Sequence, residues 1–179
     1  MAETKSKDIV KGIFSVIAGV FGDDRSVEGA AVLPGHENAG ITAGNAQQRY
    51  CTLFCQTTDA TATTPTTKNT TTVAADNIPV LDNNGAYFFR IELVAGVTAG
   101  GNSKAFTFEG LIKRGANAAA TSLVGTVTKT IVAQDSGAST WDADVSADTT
   151  LGALKLTCTG QASTTIRWVA KVETTEMQF

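Results

Sequence analysis

The sequence predicts an all-β fold, an antiparallel β-sandwich of the jelly-roll or Ig-like kind, preceded by an N-terminal amphipathic helix and an extended arm. Three observations carry that reading. After residue 85 apolar and polar residues alternate with a period of two, the spacing of strands that bury one face. Each alternating run is closed by turn residues: Asp82-Asn83-Asn84-Gly85, Gly100-Gly101-Asn102, Gly115-Ala116-Asn117, Asp135-Ser136-Gly137 and Gly160-Gln161. The chain has 179 residues, 42% hydrophobic and 17% charged, enough for short, evenly spaced strands to enclose a core.

The first element is the helix. Between Lys7 and Gly22, the residues Ile9, Val10, Ile13, Phe14, Ile17, Val20 and Phe21 recur at spacings of three and four, which puts them on one helical face. So short a helix is marginal in water, and Gly12 and Gly19 weaken it, so it is expected to dock on its own domain or on a neighbour. Lys5, Lys7 and Lys11 before an apolar run resemble a signal peptide. However, Glu3 and Asp8 interrupt the pattern, and no small-x-small cleavage site precedes Asp23. The run is also shorter than the ~20 residues that span a bilayer, so no membrane span is expected.

Asp23 to Gln48 is rich in Gly, Ala and Asn with little periodicity and reads as an arm, which gives residues 1–48 as helix and docking arm and 49–179 as the β-domain. Arg49 to Cys55 reads as a strand. Thr57 to Ala75, dominated by Thr and holding Pro65, has almost no large apolar group and is expected to be an exposed loop or an outer strand.

The strands follow. Tyr87, Phe89, Ile91 and Leu93 alternate with Phe88, Arg90, Glu92 and Val94, and Phe106, Phe108 and Ile112 alternate with Thr107, Glu109 and Lys113. Leu123, Val127 and Ile131 share one parity; Leu154, Leu156 and Cys158 share another. Ile166, Trp168, Ala170 and Val172 oppose Arg167, Lys171 and Glu173. Tyr87, Phe89, Phe106, Phe108, Trp141 and Trp168 are the expected aromatic core. Phe88 and Val94 fall on the charged side of their strand and are expected to cover a contact between subunits.

Little in the chain points to catalysis. A Ser/His/Asp or Cys/His site would need His36, the one histidine, which lies in a Gly- and Asn-rich loop. No GxSxG elbow or GxGxxG occurs. Gly96 to Lys104 has the glycines of a phosphate loop but lacks the Lys-Ser/Thr pair and leads into a strand, so it reads as a turn. Asp142, Asp144 and Asp148 lack the Gly and distal Glu of an EF-hand, and Asp142 and Asp144 read as the solvated face of a strand. Asn69-Thr70-Thr71 matches a glycosylation acceptor that any Thr-rich chain produces by chance. A glycan-cleaving site would need two carboxylates facing across a groove, whereas Glu92, Glu109, Asp142 and Asp144 sit at exposed strand positions.

Cys51 and Cys55 lie ~13 Å apart along one strand, too far to share a metal or bridge each other, though either can meet Cys158 from a neighbouring strand. The odd count leaves a thiol over, expected to be buried and reduced or, at Cys51 or Cys55 near the arm, to form an intersubunit disulfide after release into an oxidising medium. No metal and no cofactor are expected. With 14 Lys+Arg against 17 Asp+Glu and a net charge of -3, the chain lacks the basic footprint of a nucleic-acid binder.

From about Asn83 to Met177 the sequence resembles a domain that recurs in virion structural proteins of tailed bacteriophages, of the tail-fibre and head-decoration type. The runs that carry the likeness are Ala86-Tyr87-Phe88-Phe89-Arg90, Phe106-Thr107-Phe108-Glu109-Gly110-Leu111-Ile112-Lys113-Arg114-Gly115-Ala116-Asn117 and Leu123-Val124-Gly125-Thr126. Trp141 with Val145-Ser146-Ala147-Asp148-Thr149-Thr150, and Ile166-Arg167-Trp168-Val169-Ala170 with Thr174-Thr175-Glu176, complete it. The resemblance implies a non-enzymatic module at the virion surface, assembled in the bacterial cytoplasm as a symmetric oligomer, a homotrimer by analogy, and it brings no catalytic residues. A short helix and arm before one domain suit docking on major capsid or neck proteins, as in capsid decoration, a minor capsid protein or a collar. A tail fibre or receptor-binding module, using loops near Thr57–Ala75 or Gly96–Ser103, is the alternative. Burying the helix against a neighbour would contribute about 1.5–3 kcal/mol per large side chain before ordering costs.

Overall fold

The computed structural model describes residues 22–35, 45–68 and 70–179. The seven apolar positions of the expected docking helix, His36 and Asn69 lie outside them. Among the described residues eight strands form: β1 (Ala31–Pro34), β2 (Ala46–Thr57), β3 (Gly85–Gly96), β4 (Ser103–Arg114), β5 (Thr121–Gln134), β6 (Asp142–Asp148), β7 (Ala153–Thr159) and β8 (Ile166–Gln178). Every pairing among these strands is antiparallel, so the described part of the chain is all-β, in line with its period-two patterning.

Six strands make one sheet in the order β1-β2-β8-β3-β4-β5, and β6 and β7 make a separate hairpin. β8 is thus inserted between β2 and β3 and joins them into one sheet. The β6–β7 hairpin, helped by the segment between β2 and β3, covers one face of the sheet. Thr63 and Val80 bridge to Cys158 and Ala153 of β7.

The core lies between these layers. Tyr87, Phe89, Phe106, Phe108, Trp141 and Trp168 are all buried, as their parity predicts, and the two tryptophan rings stand 6.3 Å apart at 58°. Leu154, Leu156 and Cys158 meet them from β7. The glycine run after β3 is a turn, as expected, with Ala99 and Gly100 at positive φ. Ile131 departs from its parity class: its strand continues past the second layer, and it is 49% exposed.

The described part of the expected arm is built into the domain. β1 pairs with β2, Val27, Ala30 and Val32 are buried, and the boundary placed at residue 48 falls inside β2. The Thr-rich stretch holds no strand of its own, but Thr57, Pro65 and Thr66 are buried in it because Thr66 bridges the edge of β2 at Phe54.

Candidate functional site

On β2 and β8 the inward parity runs on beyond the apolar residues. Arg49 follows the phase of Cys51 and Leu53, and Thr174 and Glu176 follow that of Ala170 and Val172, so two opposite charges are carried inside together. Arg49 Nε lies 2.8 Å from Glu176 Oε1, with both side chains 1% exposed. Thr174 donates to the same oxygen at 2.6 Å, and Gln47 Nε2 donates to Oε2 at 2.7 Å. Arg49 also donates to the Val80 carbonyl at 2.8 Å and lies 5.8 Å from the Tyr87 ring centroid.

The residues before β1 enter this network. Arg25, in a positive-φ turn, reaches in to Asp82 and, at 3.6 Å, to Glu176, and it also contacts Asp23 at 2.6 Å. The Asp23 amide donates to Gln47 Oε1 at 3.0 Å and Gln47 donates back to the Asp23 carbonyl at 2.7 Å. Burial raises the Asp82 carboxyl above its usual range despite Arg25 beside it. Burial, with Glu176 nearby, pushes the Tyr87 phenol up to about 12, and its oxygen accepts the Asp82 amide. Position 22, where the preceding segment joins, lies against Val32 and Pro34 of β1. The root of the arm is therefore fastened through paired, buried charges.

A second feature is a cavity of about 670 Å³ where the Thr-rich loop faces the ends of β2 and β8, lined by Phe54, Cys55, Thr63, Thr71, Lys68 and Arg167 among others. Lys68 holds the loop to the arm root through Asp76 at 2.5 Å and Glu28 at 2.9 Å, which keeps the Asp76 carboxyl below its usual range. Arg167 is exposed and makes no ion pair among the described residues.

The cysteines are all free. Cys51 is buried against Arg49, and burial pushes its thiol up to about 11. Cys55 and Cys158 meet across the two layers. The hydrogen bond between their thiols favours the Cys55 thiolate and, with burial, drives Cys158 up. Only Cys55 is partly exposed, so an intersubunit bridge through Cys51 or Cys158 would need the fold to open.

The four carboxylates considered for a glycan-cleaving site divide between two places. Glu92 and Glu109 flank Arg90 on the outer face of the large sheet, and Asp142 and Asp144 share Lys129 at 2.7 and 2.9 Å. Among the described residues no three His, Cys, Asp or Glu gather as a metal site would require. No family model and no curated protein matches the chain.

The charged network escaped the sequence reading, although parity carried the signal. Arg49 and Glu176 each stand in phase with the buried residues of their own strands.

Proposed function

We propose that the protein is a non-enzymatic structural component of a tailed-phage virion. It decorates or reinforces the capsid or neck surface through its N-terminal segment and projects a β-sandwich outward. The observation that carries this reading is the anchorage of the arm root. A segment that docks on a lattice must pass load to the domain behind it, and here Asp23 and Arg25 tie that segment into a buried network on β2, β8 and the turn before β3. The family-like runs of β3, β4 and β8 supply the virion context, and three free thiols accord with assembly in a reducing cytoplasm. The partners are then major capsid or neck proteins and further copies of the chain.

The test is deletion of residues 1–21, which stops short of the built-in residues from Asp23 onward. The truncated chain is expected to fold and to be lost from purified particles; normal incorporation would sink the docking role. A second reading, a tail fibre or receptor-binding module, is favoured by the loop cavity with its unpaired Arg167. Immunogold labelling of particles with an antibody to residues 49–179 separates the two: label on head or neck supports decoration, and label at the tail tip supports receptor binding.

A further inference from the structure

The outer face of the six-stranded sheet carries no second sheet among the described residues, the Thr-rich loop bordering only its corner at Phe54 and Val169, and strand register sorts its side chains into rows. Phe54, Val169 and Val94 lie side by side across β2, β8 and β3. Phe88, Leu111 and Val124 form another row across β3, β4 and β5. All six are between 37% and 54% exposed, on a face opposite a fully buried core.

Between the two apolar rows stand five charges, Glu109 on β4 beside Arg90 at 3.5 Å and four at the centre. Lys171 is opposite Glu92, and Glu173 is opposite Arg90, on the adjacent strands β8 and β3 at the middle of the sheet. Signs therefore alternate both along each strand and across the pair. Lys171 lies 3.0 Å from Glu92 and 3.9 Å from Glu173, and Arg90 lies 3.6 Å from Glu92.

We infer that this face is where two copies of the chain pair, sheet against sheet, about a two-fold axis lying between them. A two-fold interface requires a patch complementary to itself. An axis along the strands sets Lys171 over the partner's Glu92, Glu173 over the partner's Arg90 and Val169 over the partner's Val94. An axis across the strands sets Lys171 over the partner's Glu173, Arg90 over the partner's Glu92 and Val94 over the partner's Phe88. In either case acid meets base, and the apolar contact at the centre is Val169 with Val94 about the first axis or Val94 with Phe88 about the second. Phe54, Leu111 and, respectively, Phe88 or Val169 meet the partner's Ala105, Gln48 or Thr175.

The extent is sufficient. Five strands at ~4.8 Å, with β3 and β4 each 12 residues long, make a face of about 24 by 40 Å, about 1,000 Å² per copy. Stable complexes bury about 800 Å² per partner. Desolvating the charges roughly cancels what their new pairings return, so burial of the exposed apolar side chains, Val94 at the centre, drives association and the charges set register. The pairing holds whether or not the chain belongs to a virion.

Sedimentation velocity of the full chain at micromolar concentration is expected to show twice the 18.5 kDa of one copy. Phe88→Lys combined with Val94→Lys is expected to raise the dimer dissociation constant at least about tenfold. The near-ultraviolet dichroism of the buried tryptophans should stay unchanged in that variant, since both substituted side chains face solvent. Arg90→Glu should weaken pairing in the same way. Reversing all five signs together (Arg90→Glu, Glu92→Arg, Glu109→Lys, Lys171→Glu, Glu173→Lys) keeps the alternation and should restore it. A monomer, a trimer, or a dimer indifferent to these changes overturns the inference. So does a monomer that associates only when residues 1–21 are removed, because the chain's own N-terminal segment would then be what occupies the face.

Discussion

At Glu176 one carboxylate meets two guanidiniums, an amide and a hydroxyl, all out of water. Replacing it with Gln keeps the shape and leaves Arg49 and Arg25 without their central counter-charge. Breaking a buried pair in this way costs about 3–5 kcal/mol, so a loss of that size is expected in urea unfolding. Asp82 should behave differently. Its folded-state pKa is raised, so the folded chain holds the proton more tightly than the unfolded one. Protonation therefore adds stability as pH falls through the folded value, and above it the charge is a net cost. Asp82→Asn is expected to leave stability at neutral pH unchanged or higher and to remove that acid-side gain; a loss matching Glu176→Gln would contradict the assignment. The thiols give a separate check. An alkylating reagent should modify Cys55 first in the native protein, with Cys51 and Cys158 following only on unfolding, since the thiolate is the nucleophile and burial raises the pKa of both. Peptide mapping after brief labelling reads that order directly.

Among the elements, β4 shows how a single small residue sets a pairing. The β4–β5 register shifts between Glu109 and Leu111, and at Gly110 an added Cβ would stand 2.7 Å from the Phe89 ring and 3.3 Å from Val127. The glycine lets β4 lie flat on a core aromatic opposite the extra residues 125–127 that bulge β5. Gly110→Ala is expected to cost about 1–3 kcal/mol through overpacking, measured as a lower urea midpoint. The same strand carries Lys104 inward in phase with Phe106 and Phe108. Its ammonium donates to the Trp141 carbonyl at 2.6 Å and lies 5.0 Å from the Phe106 ring centroid, so a charged residue closes the end of the core. Burial correspondingly lowers its pKa, since the ammonium has given up water.

For the molecule as a whole, the two layers share one core, and the residues before β1 are part of it. Deleting residues 1–30 would remove Arg25, Val27 and Ala30 and leave Glu176 short of a counter-charge. Loss of the buried side chains and of the ion pairing together amounts to about 4 kcal/mol or more, which chemical denaturation against the full chain would register. An unchanged midpoint would mean that the segment is only an appendage.

Much of the β-domain was legible in the chain. Alternation is local: a strand that buries one face must place apolar residues at every second position, so Tyr87, Phe89, Ile91, Trp168 and Val172 could be assigned inward, and Phe88 and Val94 outward, before any pairing was known. The Gly- and Asn-rich turns marked where those strands end for an equally local reason, their tolerance of tight backbone. Pairing across the chain was another matter. That β8 lies between β2 and β3, that Gln47 meets Glu176 from 129 residues away, that Cys55 reaches Cys158, and that four charges fall into an alternating square were decided only by the tertiary structure. Such contacts arise from closing long loops and sliding strands into one register. The entropy of that closure is set by the whole chain and by the partner face, so it leaves no mark on either segment alone.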